Sequence, residues 1–98
     1  MFGNMMDKLQ EMKQKMEETK KRLDAITVTG EAANGQIKVM ATGNRKIKSV
    51  SISEVIKNAD KEELEDQLTV ALNRALEQAE KINEAEMAGA AKGMLPGM

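Results

Sequence analysis

The chain has 98 residues, with 15 Lys and Arg against 16 Asp and Glu, no Cys, no His and one aromatic residue, Phe2. At this length we expect a single domain. Without Cys and His the chain has no disulfide framework and no cysteine nucleophile, and it lacks the commonest zinc ligands and the commonest general base. One aromatic ring is too few for proteins that stack bases on side chains. The composition therefore argues against an enzyme, a metal or cofactor site, and a base-stacking RNA-binding module.

No segment of the sequence is typical of export or of membrane insertion. Residues 1–8 include no apolar stretch long enough for a signal peptide. The longest run of small and apolar residues, 87–91, falls far short of the roughly 18 residues of a membrane span. We therefore expect a cytoplasmic protein with no membrane partner and no small-molecule substrate.

The net charge of −1 conceals opposite charges in the two halves of the chain. Residues 1–50 contain 10 Lys and Arg against 6 Asp and Glu, a net charge of +4. Residues 51–98 contain 5 against 10, a net charge of −5. This asymmetry predicts that the halves attract each other, or that the first half binds an acidic partner, and both can be true.

The N-terminal segment predicts an amphipathic helix over residues 4–24, with Asn4 as a candidate N-cap. Its apolar residues step by three and four, as heptad positions a and d do, and only Thr19 interrupts them. This apolar seam consists of Phe2, Met5, Leu9, Met12, Met16, Leu23 and Ile26. Its flanking positions are basic: Lys8, Lys13, Lys15, Lys20 and Arg22. Two such helices would set lysine against lysine, so the seam favours a more acidic surface over a copy of itself.

Beyond the helix, the apolar period changes from about 3.6 residues to 2. This change predicts three antiparallel strands in meander order, at about 26–31, 36–42 and 45–52. Asn34-Gly35 between the first two strands is a strong hairpin signal. Gly43-Asn44 opens the second reversal of the chain.

The third predicted strand has an irregular apolar pattern. Ile47 is out of phase with Val50 and Ile52 in a strictly alternating strand. We therefore expect a β-bulge or a local twist near Lys48-Ser49.

The second half of the chain predicts a short helical turn at 54–57 and a second long helix from about 61 to 88. Apolar residues of this helix again step by four and three. They are Leu64, Leu68, Ala71, Leu72, Ala75, Leu76, Ala79, Ile82 and Ala85. We expect residues 1–88 to form one α-β-β-β-α domain of the α+β class, followed by a flexible C-terminal tail at 89–98.

The dimensions of these elements predict a homodimer. A helix of about 21 residues is about 32 Å long, whereas a strand of six or seven residues spans about 20–23 Å. One three-stranded sheet therefore cannot cover the apolar face of either long helix, and a meander also leaves two open edges. Association of two copies solves both problems.

The candidate binding residues are basic side chains of the first helix and of the third strand. Lys13 and Lys20 lie seven residues apart, as do Lys15 and Arg22, so each pair forms a row about 10 Å long. The full candidate set is Lys13, Lys15, Lys20, Lys21, Arg22, Arg45, Lys46 and Lys48. The simpler explanation is solvated charge or, for the cations of the first helix, ion pairs with the acidic second helix through Glu65, Glu77, Glu80 and Glu84.

The order of helix, meander and helix, with several short motifs, resembles the YbaB/EbfC family of nucleoid-associated DNA-binding proteins. The resemblance covers essentially the whole chain. The motifs are Met1-Phe2-Gly3-Asn4-Met5, Val28-Thr29-Gly30-Glu31-Ala32, Gly35-Gln36-Ile37-Lys38-Val39, Val50-Ser51-Ile52 and Gly93-Met94-Leu95-Pro96-Gly97. Ser53-Glu54-Val55 departs from the Asp-Pro-type entry to the short turn that many members have.

The resemblance implies a homodimer whose sheets join centrally and whose long helices project like the arms of tweezers. It also implies weakly selective binding of double-stranded DNA, a place in the nucleoid, and a role in nucleoid organisation and gene expression, with no catalytic function or cofactor. Since the pI is near 5.5, the candidate set would have to form a local basic stripe that contacts phosphates. The alternative is a dimeric scaffold that binds proteins through its Met-rich helices and has no nucleic-acid role.

Overall fold

The computed structural model describes residues 2–94, and the side-chain environments within residues 5–90. The elements, in chain order, are α1 (Phe2–Ala25), β1 (Thr27–Ala32), β2 (Ile37–Thr42), β3 (Ile47–Ile52), α2 (Glu54–Lys57) and α3 (Lys61–Met94). The predicted α+β class and element order are confirmed. The bounds lie close to the predicted ones except at the end of α3.

The last helix is longer than predicted, because it continues to Met94 instead of ending near residue 88. The predicted end depended on Gly89, yet one glycine costs a helix only about 1 kcal/mol. Ala88 and Ala90 on either side are strong helix formers. Residues 95–98 of the predicted tail lie outside the described residues, and the domain boundary at residue 88 stays a prediction.

The strands form one antiparallel sheet in the order β1-β2-β3, with a register shift between β2 and β3. Met40 pairs with Ser49, whereas the next residue, Ala41, pairs with Ile47. Lys48 is therefore an extra residue on β3, and the bulge predicted near this position is confirmed.

The bulge turns all three apolar residues of β3 toward the face of the sheet that α3 covers elsewhere, because cross-strand partners share a face. Their partners on β2 are buried: Ile37, Val39 and Ala41. Ile47, Val50 and Ile52 themselves are 42%, 45% and 38% exposed. They are exposed because α3 packs mainly on β1 and β2.

The core lies between the sheet and α3, which approach each other closely. Ala71, Ala75 and Ala79 are fully buried along one side of α3. Gly30 of β1 faces this stripe, and a Cβ there would lie 2.2 Å from the backbone nitrogen of Ala75. Larger side chains surround the contact and are partly buried: Val28, Leu64, Leu68 and Leu72.

Over the part of the first helix whose side chains are described, residues 5–25, packing is concentrated near the C-terminal end. Thr19 and Leu23 are buried, whereas Met5 and Leu9 are 67% and 63% exposed. Beyond the sheet, α3 runs beside α1, and the two helices give the molecule a length of 66 Å against widths of 20 and 18 Å. Most of the apolar seam is therefore uncovered in a single copy, as its length predicts.

Candidate nucleic-acid interface

The β2–β3 turn, residues 43–46, carries two cations of the candidate set and is fixed by hydrogen bonds. The hydroxyl of Thr42 accepts from the backbone N–H groups of Asn44 and Lys46, at 3.2 and 3.4 Å. The backbone N–H of Gly43 donates to the carbonyls of Leu23 and Ile26, at 3.0 and 3.1 Å. The turn is thus attached to the end of α1.

Two asparagines join the turn to both long helices. The Nδ2 of Asn44 donates to the backbone carbonyl of Lys20 at 3.0 Å and to the Oδ1 of Asp24 at 2.6 Å. The Nδ2 of Asn83, on α3, donates to the carbonyl of Gly43 at 3.1 Å. These bonds hold the turn beside the end of α1 that carries Lys20, Lys21 and Arg22.

Arg45 occupies a backbone conformation that non-glycine residues rarely adopt. Its φ is +64°, in the left-handed region, which costs an L-residue about 1–2 kcal/mol. The conformation directs its guanidinium to α3, where Nη1 lies 2.9 Å from Oε2 of Glu80. Backbone strain of this kind often accompanies function.

The basic rows of α1 face different directions, since each residue of a helix is rotated by about 100°. Arg22 faces α3, and its Nη2 donates to Oε2 of Glu86 at 3.4 Å. Lys15 lies on the same side, in a cleft that it shares with Glu18, Thr19, Arg22 and Ala90. The row of Lys13 and Lys20 lies on the opposite flank of the apolar seam, where Lys13 borders a shallow apolar depression with Met6, Leu9 and Gln10.

Lys48 is separated from the other candidate residues. Its Nζ donates to the hydroxyl of Thr27 at 3.4 Å, across the outer face of the sheet that α3 does not cover. Lys20, Lys21 and Lys46 form no side-chain hydrogen bond or ion pair with any described residue. The structure therefore brings five candidate residues to one junction: Lys20, Lys21, Arg22, Arg45 and Lys46. Lys15 lines the cleft beside Arg22, and Lys13 and Lys48 lie apart from the junction.

The alternative of ion pairing with the second long helix holds for two members of the set. Arg22 of the first helix pairs with Glu86, which was not among the candidate partners, whereas the candidate partner Glu80 pairs with Arg45 of the turn. Glu65 pairs instead with Lys61 of its own helix at 3.9 Å. The anchoring role of Asn44 and Asn83 was missed, and only the Gly43-Asn44 reversal signalled the first of them.

The described residues include neither a candidate metal-ion cluster nor a candidate membrane span. No group of three or more acidic side chains there could hold a metal ion. No helix within the described part is long and apolar enough to span a membrane.

The fold and the junction define a small α+β protein in which two basic segments, the end of a helix and a β-turn, lie side by side. The model of the YbaB/EbfC DNA-binding family matches residues 1–94. The chain therefore belongs to the YbaB/EbfC DNA-binding family.

Similar proteins agree with this assignment. A nucleoid-associated protein from Flavobacterium johnsoniae is 46% identical over 92 residues, which are 94% of this chain and 86% of that protein. A nucleoid-associated protein from Chlorobium phaeobacteroides is 38% identical over 96 residues, covering 98% and 86% of the two chains. The crystal structure of an uncharacterized Helicobacter pylori protein superposes with a TM-score of 0.82 at 21% identity, over 94% and 97% of the two chains, and shows the same fold.

Proposed function

We propose that the protein binds double-stranded DNA as a homodimer, mainly through phosphate contacts and with weak sequence selectivity. In this role it contributes to nucleoid organisation and gene expression and catalyses no reaction. The family assignment and the names of the relatives support DNA and the nucleoid as its targets.

The observation that carries the proposal is the anchored turn beside the end of α1. It places Arg45 and Lys46 on a rigid turn next to the segment of Lys20, Lys21 and Arg22. Hydrogen bonds to three elements keep the turn in place, so its cations need little reorganisation when they meet a charged backbone. A local concentration of cations also overcomes a slightly negative net charge.

The chemistry of these side chains favours phosphates over bases. Lysines and arginines on a helix flank and a turn contact backbone oxygens, which are the same in every sequence. Reading of base edges needs a helix or ribbon in the major groove with bidentate side chains. Neither α1 nor α3 presents such a set beside the junction, and this supports weak selectivity.

The uncovered apolar face of β3 supports the homodimer. Ile47, Val50 and Ile52 form a row at the open edge of the sheet, on its core face. Leu72 and Leu76 lie on the side of α3 that also carries Glu80, and Glu80 meets the β2–β3 turn. A second copy that covers this row would bury apolar surface and protect the β3 edge.

The test is a fluorescence-anisotropy titration with labelled duplex DNA at about 50 and 200 mM salt. Lys20→Ala combined with Lys46→Ala should weaken binding to every duplex roughly tenfold and flatten the salt slope by about 1 to 2. The matched control is Lys57→Ala with Lys61→Ala, which removes the same charge from lysines that pair with neighbours on α2 and α3. Equal weakening by both variants would remove the junction from the binding surface.

A second candidate function has its own supporting observation, the uncovered methionines of α1. Met12 and Met16 are 44% and 38% exposed between basic flanks, which suits an acidic amphipathic helix of another protein. In that scaffold role, Leu9→Glu would abolish capture of a protein partner, and wild-type protein would show no DNA binding at low salt. DNA binding that survives Leu9→Glu favours the first proposal.

A further inference from the structure

Two arginines of the junction are already neutralised by carboxylates of α3. Arg45 and Glu80 lie 2.9 Å apart, and Arg22 and Glu86 lie 3.4 Å apart. The two arginine side chains are 52% and 58% exposed, so water and other anions reach them. Exposed pairs of this kind are weak and exchange readily.

A carboxylate and a phosphate use the same guanidinium donors. Both present two oxygens to the planar N–H fork of an arginine. A DNA phosphate that reaches Arg45 or Arg22 must therefore displace an oxygen of Glu80 or Glu86, or share the fork with it. Either outcome leaves a carboxylate close to the negatively charged DNA backbone, which opposes binding.

We propose that Glu80 and Glu86 act as intramolecular competitors of DNA and hold its affinity below what the basic residues alone would give. The inference rests on the proposed DNA-binding function. The affinity of that interface is then set by these two acids of α3 as well as by the cations that contact DNA.

The competition is local and can be separated from a general effect of charge. Glu77 and Glu84 lie on the same helix, are exposed, and form no ion pair with any described residue. Their removal changes the net charge by the same amount without freeing an arginine. Glu77 and Glu84 lie three and four residues from Glu80, within about one turn of the same helix, so the control removes charge from nearly the same place.

Salt dependence gives a second signature of the competition. A carboxylate displaced from its arginine attracts a cation from solution, and this uptake offsets part of the counterion release that drives binding. Without the carboxylate the uptake disappears. The slope of log Kd against log salt should therefore steepen when Glu80 and Glu86 are replaced by glutamine.

The experiment compares duplex binding by the wild-type chain, Glu80→Gln with Glu86→Gln, and the matched control Glu77→Gln with Glu84→Gln. We expect the first variant to bind roughly threefold to tenfold more tightly than wild type, with a slope steeper by about 1. The control should raise the affinity for DNA by no more than about twofold, because removing these two charges frees no arginine. In a protein that also carries Arg22→Gln and Arg45→Gln, replacing Glu80 and Glu86 should no longer raise the affinity for DNA. Circular dichroism and melting curves confirm that each variant is folded.

The outcomes separate this inference from the function on which it rests. Suppose that wild type binds DNA, and that the Glu80/Glu86 variant and the Glu77/Glu84 control either gain affinity equally or gain none. Glu80 and Glu86 are then not competitors, and the inference is overturned while the proposed function stands. If neither wild type nor Glu80→Gln with Glu86→Gln binds DNA, the proposed function fails and the inference with it. Binding that appears only in that variant supports the competition in its strongest form.

Discussion

Gly30 permits a close contact in the core, the approach of α3 to β1. A Cβ at this position would lie 2.2 Å from the nitrogen of Ala75 and 2.3 Å from the carbonyl oxygen of Ala71. Both are backbone atoms, which cannot rotate away as a side chain can. The methyl groups of Ala71 and Ala75 are fully buried at the same contact, so small residues on both elements determine the distance between sheet and helix.

Gly30→Ala should lower the free energy of unfolding by about 3 kcal/mol or more, because the added methyl forces helix and sheet apart. The control is Gly89→Ala, where nothing lies within 4 Å of the new Cβ. In the middle of a helix this change should raise stability by about 0.5–1 kcal/mol. Urea denaturation measures both, and equal stabilities of the two variants would contradict the described contact.

Arg45→Gly separates a functional role of Arg45 from a structural one. Glycine adopts the left-handed conformation without strain, which offsets the loss of a half-exposed ion pair worth about 0–1 kcal/mol. We expect an unchanged or higher melting temperature together with weaker DNA binding. Arg45→Ala should lose the same binding but be less stable than Arg45→Gly by about 1 kcal/mol. Full DNA affinity in the glycine variant would show that the side chain does not contact DNA.

The conformation of single residues was only partly predictable. The Asn34-Gly35 hairpin signal identified a connection in which Ala33, Asn34 and Gly35 all have positive φ. The positive φ of Arg45 could not be foreseen, since arginine has no preference for it. Asn44 and Asn83 escaped notice because their hydrogen-bond partners lie 20 to 40 residues away in the chain.

Among the elements, α1 contains one polar residue within its apolar series, and this residue is buried. Thr19 breaks the apolar series, yet its side chain is 1% exposed where α3 crosses. Its hydroxyl donates to the carbonyl of Lys15 at 2.8 Å, so burial leaves no polar group unpaired. The apolar period predicted the helix and its buried face, but it could not show that α3 covers only one end of that face.

The buried side of α3 is tested by placing a charge on it. Leu68 is partly buried against the core, whereas Glu77 is exposed. Leu68→Asp should cost about 2 kcal/mol or more, because a buried charge without a partner is expensive, and Glu77→Lys should change stability by no more than about 0.5 kcal/mol. Similar melting temperatures of the two variants would mean that the predicted stripe is wrongly placed.

At the scale of the whole molecule, the core face of β3 is not covered within one copy and needs a partner. Sedimentation equilibrium of the wild-type chain should give about twice the chain mass of 10.8 kDa at micromolar concentration. Val50→Asp should shift the mass toward that of one chain, since a second copy would bury this position. The control is Met40→Asp, which has similar exposure, 39% against 45%, but lies on the opposite face. A folded wild-type monomer would refute the proposed dimer.

The charge asymmetry between the halves of the molecule has one predicted consequence that the structure confirms, ion pairs between the two halves. Arg22 and Arg45 of the basic half pair with Glu86 and Glu80 of the acidic half. Lys20, Lys21 and Lys46 form no such pair with a described residue, and binding of an acidic partner by the basic half stays a prediction. Composition could predict the attraction between the halves, but only the packing of α1, the turn and α3 determines which cations it neutralises.

The proposal of phosphate-dominated DNA binding is tested most directly by the salt dependence of wild-type Kd on two duplexes of unrelated sequence. A dimer that neutralises roughly four to eight phosphates should give a slope of log K against log salt of about −4 to −7. Both duplexes should show the same slope, and their Kd values should agree within about tenfold, well below the discrimination of sequence-specific proteins. A slope shallower than about −1, or the absence of binding at low salt, would contradict the proposal.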